Sequence, residues 1–183
     1  NYHLELQQLG YETAHIGKWH MGNDGKPRPG YDHWISYDGH GRLNDPVLNK
    51  NGRYSAHKGY MTDIMNDYAV DYLKRKRTKP FSLFYAHKAV HPDADQAADG
   101  KLTILPNGGY IVPKRHQGLY KNDVFPSTPN MLSAEEVVKN KPAWKECLEL
   151  KKKPAAKTLL KALQAGTQQE IRLRAQMMAS VDE

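Results

Sequence analysis

The chain has 183 residues, 39% of them hydrophobic and 26% charged, which is ordinary for a globular protein with one core. Twenty-seven Lys+Arg against 20 Asp+Glu leave a net charge of +7, which suits nucleic acid, acidic polysaccharide or a small anionic substrate about equally. No apolar run is long enough to span a membrane, the first residues lack the basic and apolar regions of a signal peptide, and the single cysteine, Cys147, excludes an internal disulfide.

In chain order, Leu4, Leu6 and Leu9 give an amphipathic helix over 2–9, closed by Gly10. A short strand follows at 12–16. The stretch 22–59 is polar and glycine-rich, with turn signals at Asn23-Asp24-Gly25, Asp38-Gly39 and Asn51-Gly52, and is expected to be loop and short hairpin. Met61, Ile64, Met65, Tyr68, Ala69, Tyr72 and Leu73 recur at steps of three and four, the clearest helical face in the chain. Lys74-Arg75-Lys76-Arg77 and Pro80 then read as a solvated helix end rather than a nucleic-acid patch.

Phe81-Ser82-Leu83-Phe84-Tyr85-Ala86 is a nearly continuous apolar run, the pattern of a strand covered on both faces. Residues 93–130 read as an irregular excursion, with weak strands at Leu102–Leu105 and Tyr110–Val112. Helical patterns return at 133–140 and 155–165, Gly166 reads as a helix stop, and Thr167 with Glu170 forms a capping box for a last helix. The order predicts an α/β layered fold with a mostly parallel sheet flanked by helices. Both ends fall inside helical patterns, so the chain reads as an internal piece of a longer protein.

Two Lys/His clusters, Lys18 with His20 and Lys88 with His91, sit just after predicted strands, where ligands bind in parallel sheets. Lysine supplies charge to an oxyanion, and a histidine with a pKa near about 6.5 can carry a proton to or from an ester oxygen. These residue types fit a polar site for an anionic ester; the alternative is surface side chains near strand ends. His87 and His91, four apart, suit zinc only on a helix, and Pro92 argues against that register. Cys147 has no paired histidine motif and reads as an inert thiol. Trp19 and Trp34 are either core residues or walls of a sugar site.

The run Gly10-Tyr11-Glu12-Thr13-Ala14-His15-Ile16-Gly17-Lys18-Trp19-His20-Met21-Gly22 resembles the second signature of the type I, formylglycine-dependent sulfatases of the alkaline-phosphatase superfamily. Pro29-Gly30-Tyr31-Asp32, the 80–85 strand, the Lys88-Ala89-Val90-His91-Pro92 loop and Ser180-Val181-Asp182-Glu183 resemble later segments of that family, in the same order. Residues 93–115 resemble an insertion. Arg115-His116-Gln117-Gly118-Leu119-Tyr120-Lys121 and the wider layout resemble the branch of N-acetylglucosamine-6-sulfatases and related glycan sulfatases.

The resemblance implies that residues 1–183 are an incomplete N-terminal catalytic domain of a sulfuric ester hydrolase acting on a sulfated carbohydrate or aryl sulfate. It implies that Lys18 contacts the formylglycine hydrate and the sulfate, that His20 assists the hydrate, and that His91 binds the ester and acts as general acid. The formylglycine, the calcium ion and its ligands are expected outside this chain, which alone is expected to be inactive; no metal ligand is assigned within it. A periplasmic or secreted location follows from the resemblance; no nucleic-acid partner is expected because the cations are scattered or placed at helix ends, and no membrane span because no apolar run is long enough. A sulfatase-like protein that binds sulfated glycans without cleaving them is the competing expectation. A Cys-x-Pro-Ser-Arg or Ser-x-Pro-Ser-Arg segment about fifty residues before Lys18 separates the two.

Overall fold

A computed structural model describes residues 1–97, 101–104, 109–126, 139 and 168–183. The chain forms two compact units, one of Asn1–Gln117 with Gln176–Glu183, the other of Gly118–Ala175.

The first unit is built on a five-stranded sheet. Strand β1 (Glu12–Gly17) lies parallel between β2 (His33–Ser36) and β5 (Phe81–Ala86), and β3 (Val47–Lys50) and β4 (Arg53–Ala56) extend the β2 side as an antiparallel hairpin. The hairpin turns through Asn51 and Gly52, with φ of 50° and 92°, the left-handed pair that a two-residue turn between twisted strands requires.

Side chains alternate across the sheet. Ala14 and Ile16 of β1, Ile35 of β2 and Leu48 of β3 meet helix α2 (Met61–Leu73), whose Met61, Met65, Ala69 and Tyr72 form one buried stripe with Ile64 and Tyr68 at its edges. Leu73, placed on that face by periodicity, is 50% exposed because it closes the last turn. On the other side His15 packs with Trp19, Tyr31, Trp34 and Phe84, and with this cluster sits helix α1 (Tyr2–Gln8) through His3. Asn1 caps α1 by accepting the His3 N–H and also donates to the Pro29 carbonyl at 2.8 Å. Asp32 fastens the start of β2 to β1, accepting from the Thr13 amide at 2.9 Å and the Thr13 hydroxyl at 3.0 Å.

Three expectations need correction. The 22–59 stretch contains β2, a fully buried parallel strand, besides the hairpin; its run His33-Trp34-Ile35-Ser36 lies between glycine-rich loops that hide it. β5 is an edge strand among the described residues, with Phe81 42% and Phe84 41% exposed, rather than a strand covered on both faces. Tyr110–Val112 forms no strand, whereas β6 (Ala94–Gln96) and β7 (Leu102–Ile104) pair as a separate hairpin inside the 93–130 excursion.

The basic run folds onto the helix end that precedes it. Arg77 lies 4.2 Å over the Tyr72 ring and pairs with Glu12 at 3.5 Å. Helix α3 (Gln168–Asp182) has its later residues in the first unit. There Glu183 meets Arg115 and His116, while Arg115 also takes both carboxylate oxygens of Asp63 at 2.9 and 2.7 Å. In the second unit Arg172 donates to the Tyr120 carbonyl at 2.7 Å and Gln168 exchanges hydrogen bonds with the Phe125 backbone. The helical patterns at 133–140 and 155–165, Cys147, Gly166 and Thr167 lie outside the described residues, apart from Lys139.

Candidate functional site

Three loops leave the carboxyl ends of the neighbouring parallel strands β2, β1 and β5, and each carries a basic side chain. Gly17 makes the β1 exit possible. Its φ is +119°, and a Cβ there would stand 1.9 Å from the Ala86 carbonyl oxygen. That carbonyl instead accepts the Lys18 amide at 2.8 Å, pinning the first residue of the loop to the end of β5.

Lys18 and His20 line a cavity of about 520 Å³ whose other walls include Tyr2, Trp19, Tyr31, Phe84 and His87. The lysine is half-buried, and burial and the neighbouring Lys88 ammonium hold its pKa below the ordinary value. An entering anion would relieve both effects, so the position favours a negatively charged ligand. Trp34 is buried, its indole N–H donating to the Gly25 carbonyl at 2.7 Å, whereas Trp19 stays half-buried in the cavity wall. Of the two tryptophans, only Trp19 borders open space.

Lys88 and His91 part ways. The Lys88 ammonium is buried and paired with Asp93, and it also donates to the Gly41 carbonyl at 2.8 Å. Asp93 in turn accepts from the Leu43 amide at 3.3 Å. Lys88 therefore joins two loops and is not a free anion ligand; the carboxylate five residues on, which folds back over it, was invisible as a partner in the pattern of the sequence. Burial lowers the Lys88 pKa, opposed by Asp93. His91 is exposed and stands outside the wall of the cavity. Its Nδ1–H donates to the Pro92 carbonyl at 2.7 Å, which leaves Nε2 as the free ring nitrogen. His87 turns instead against Tyr85, with ring centroids 4.3 Å apart.

The loop after β2 supplies a residue that sequence reasoning missed. His40 packs on His91 with ring centroids 4.9 Å apart and planes tilted by 38°. Its pKa is lowered by burial first and then by the positive charges of Lys18, His91, Lys88 and His20. Lys18, His20 and His91 thus all lie within electrostatic reach of this one imidazole. The signal that was present is the Asp38-Gly39 turn after Trp34-Ile35-Ser36-Tyr37, a segment whose polar His33 and Ser36 hide it as a strand.

Among the described residues no three His, Cys, Asp or Glu side chains come together as a metal site. These residues therefore do not fit a calcium ion, and no step below is taken through one.

A protein-family model described as Sulfatase matches residues 5–183. An N-acetylglucosamine-6-O-sulfatase of Bacteroides thetaiotaomicron is 34% identical over 135 residues, covering 72% of this chain and 21% of that protein. A human N-acetylgalactosamine-6-sulfatase is 31% identical over 109 residues, 47% of this chain and 21% of that protein. The chain therefore spans about a fifth of the length of these curated relatives. The fold is shared with the solved structure of BT4656 in complex with its substrate D-glucosamine-2-N,6-O-disulfate, at a TM-score of 0.64 and 24% identity over all of this chain and 44% of that one.

Proposed function

Since the chain belongs to the Sulfatase family, we propose that it is the part of a sulfatase that holds the sulfate group and protonates the departing alcohol, with a sulfated amino sugar as substrate. The supporting observation is that Lys18 and His20, which follow β1, line one cavity, while His91, which follows the adjacent parallel strand β5, packs on His40 of the loop after β2. The substrate class is drawn from the amino-sugar 6-sulfatases among the relatives and from the disulfated glucosamine bound to BT4656.

In this reading Lys18 supplies positive charge to a sulfate oxygen and stabilises the charge that builds there in the transition state. The bond between sulfur and the ester oxygen breaks as a bond from sulfur to the nucleophile forms. His91, anchored through Nδ1 on Pro92, delivers a proton from Nε2 to the alcohol oxygen that leaves. His20 moves a proton on the side of the nucleophile. A formylglycine nucleophile, as the family resemblance implies, would supply the attacking hydroxyl. Trp19 and Tyr31 in the cavity wall offer faces for a sugar ring.

The test is sulfate release from glucosamine 6-sulfate and from an aryl sulfate by the full-length protein, with Lys18→Met and His91→Ala as variants. Each should lower kcat/KM by about 10²–10³-fold, and the 183-residue chain alone should release none. Tight binding of the sulfated sugar by the full-length protein without turnover would favour the non-catalytic glycan-binding reading instead.

A further inference from the structure

His91 is an exposed side chain with a demanding task in the reading above, on which this inference rests. A ring that donates a proton has to keep one nitrogen aimed at one oxygen. The hydrogen bond from Nδ1 to the Pro92 carbonyl at 2.7 Å fixes one edge of the ring but allows it to swing about that contact. The second contact is the face of His40, 4.9 Å away between centroids.

His40 is held in place by packing and not through Nδ1, which is buried and has no hydrogen-bond partner, a cost that calls for an explanation. The loop that presents it is tied down at Gly41, whose φ is +62°, whose would-be Cβ stands only 2.4 Å from the Tyr37 ring just after β2, and whose carbonyl accepts from Lys88. The ammonium of Lys88 thereby joins the loop of His40 to the loop of His91.

The geometry points to His40 as a positioning residue that acts through His91: its ring is the wall against which the His91 imidazole rests, with Nδ1 on Pro92 and Nε2 turned to the leaving oxygen. His40 takes no proton from the substrate in this role. Burial and the surrounding cations keep it in the neutral form, so it does not repel the cationic state that His91 needs for donation.

The experiment uses the full-length protein, with His40→Ala removing the wall and His40→Phe keeping it without ring nitrogens. Steady-state kinetics on glucosamine 6-sulfate are paired with ¹⁵N-histidine NMR of the tautomer of His91. Expected for His40→Ala is a fall in kcat of about 10–50-fold with KM within about twofold. In the same variant the His91 signal should change from one Nδ1–H tautomer to a mixture. His40→Phe should recover kcat to within about threefold of wild type, keep the single tautomer and be at least as stable, because it removes an unpartnered buried nitrogen. Unchanged kcat and tautomer in His40→Ala would overturn the assignment, as would His40→Phe being impaired as deeply as His40→Ala. If His40→Ala does not fold, His40→Phe and His40→Leu are compared, and an equal kcat in these two overturns it. The tautomer is read without turnover, so wild-type protein that releases no sulfate yet shows the expected His91 signals refutes the enzymatic reading and leaves the contact standing.

Discussion

His15 offers a prediction whose sign reverses with pH. The ring is fully buried, 4.3 Å from Trp34 and stacked 5.5 Å from Phe84, and its Nε2–H donates to the Gly17 carbonyl at 3.1 Å. The other nitrogen, Nδ1, is buried without a partner, so a second proton has no acceptor and burial lowers the pKa from 6.5 to about 4. Between those values the unfolded chain binds more protons than the folded one. The stability associated with neutral His15 is therefore complete above pH 6.5 and is lost as the pH falls toward 4. At about 1.4 kcal/mol per pH unit, the wild-type protein has lost about 2 kcal/mol from this residue at pH 5. His15→Phe keeps the ring in the aromatic cluster but leaves the Gly17 carbonyl unpaired, a cost of about 1–2 kcal/mol that does not vary with pH. The variant should be the weaker protein at pH 7.5 and equal to or stronger than wild type at pH 5. Urea denaturation of the full-length protein followed by intrinsic fluorescence measures this, and all other titrating groups cancel between the two. A stability gap that stays constant to within about 0.5 kcal/mol from pH 7.5 to 5 would refute the account.

Two further predictions concern the scaffold. Gly17→Ala sets a Cβ 1.9 Å from the Ala86 oxygen, whereas Gly10→Ala meets nothing within 4 Å although its φ is +86°. The first should cost more than about 3 kcal/mol and the second about 1–2 kcal/mol in chemical denaturation; equal costs would show that the close approach of β1 to β5 is unimportant. Asp93→Asn leaves the buried Lys88 ammonium without its counter-charge and should cost about 3–5 kcal/mol, while the double variant Lys88→Met, Asp93→Leu should regain most of that. A neutral single variant would mean that the pair carries no charge in the folded protein.

Regular periodicity made α2, β1 and the Asn51-Gly52 hairpin legible in the sequence, because each rests on local rules: a 3.6-residue stripe, a buried run ending at glycine, a left-handed turn pair. β2 was not legible, since His33 and Ser36 interrupt its apolar pattern and it is buried by neighbours far away in sequence. β5 was read with the right bounds and the wrong surroundings, because composition tells that Phe81 and Phe84 are apolar but not what stands beside them. The Lys18 and His91 loops were found as strand exits and by resemblance. His40 was not, as a lone histidine between two glycines acquires its meaning only when three strand ends come together. Lys88 was grouped with the site because nothing in the spacing reveals that Asp93 returns to it.

The Lys88 joint also separates what can vary from what cannot. One ammonium ties Gly41 to Asp93, and the β6–β7 hairpin begins only at Ala94, on the far side of that tie. Insertions, deletions or exchange of the hairpin would therefore leave the register of His40 and His91 untouched. A chain built this way can lengthen or replace that hairpin generation after generation without disturbing the strand exits behind it.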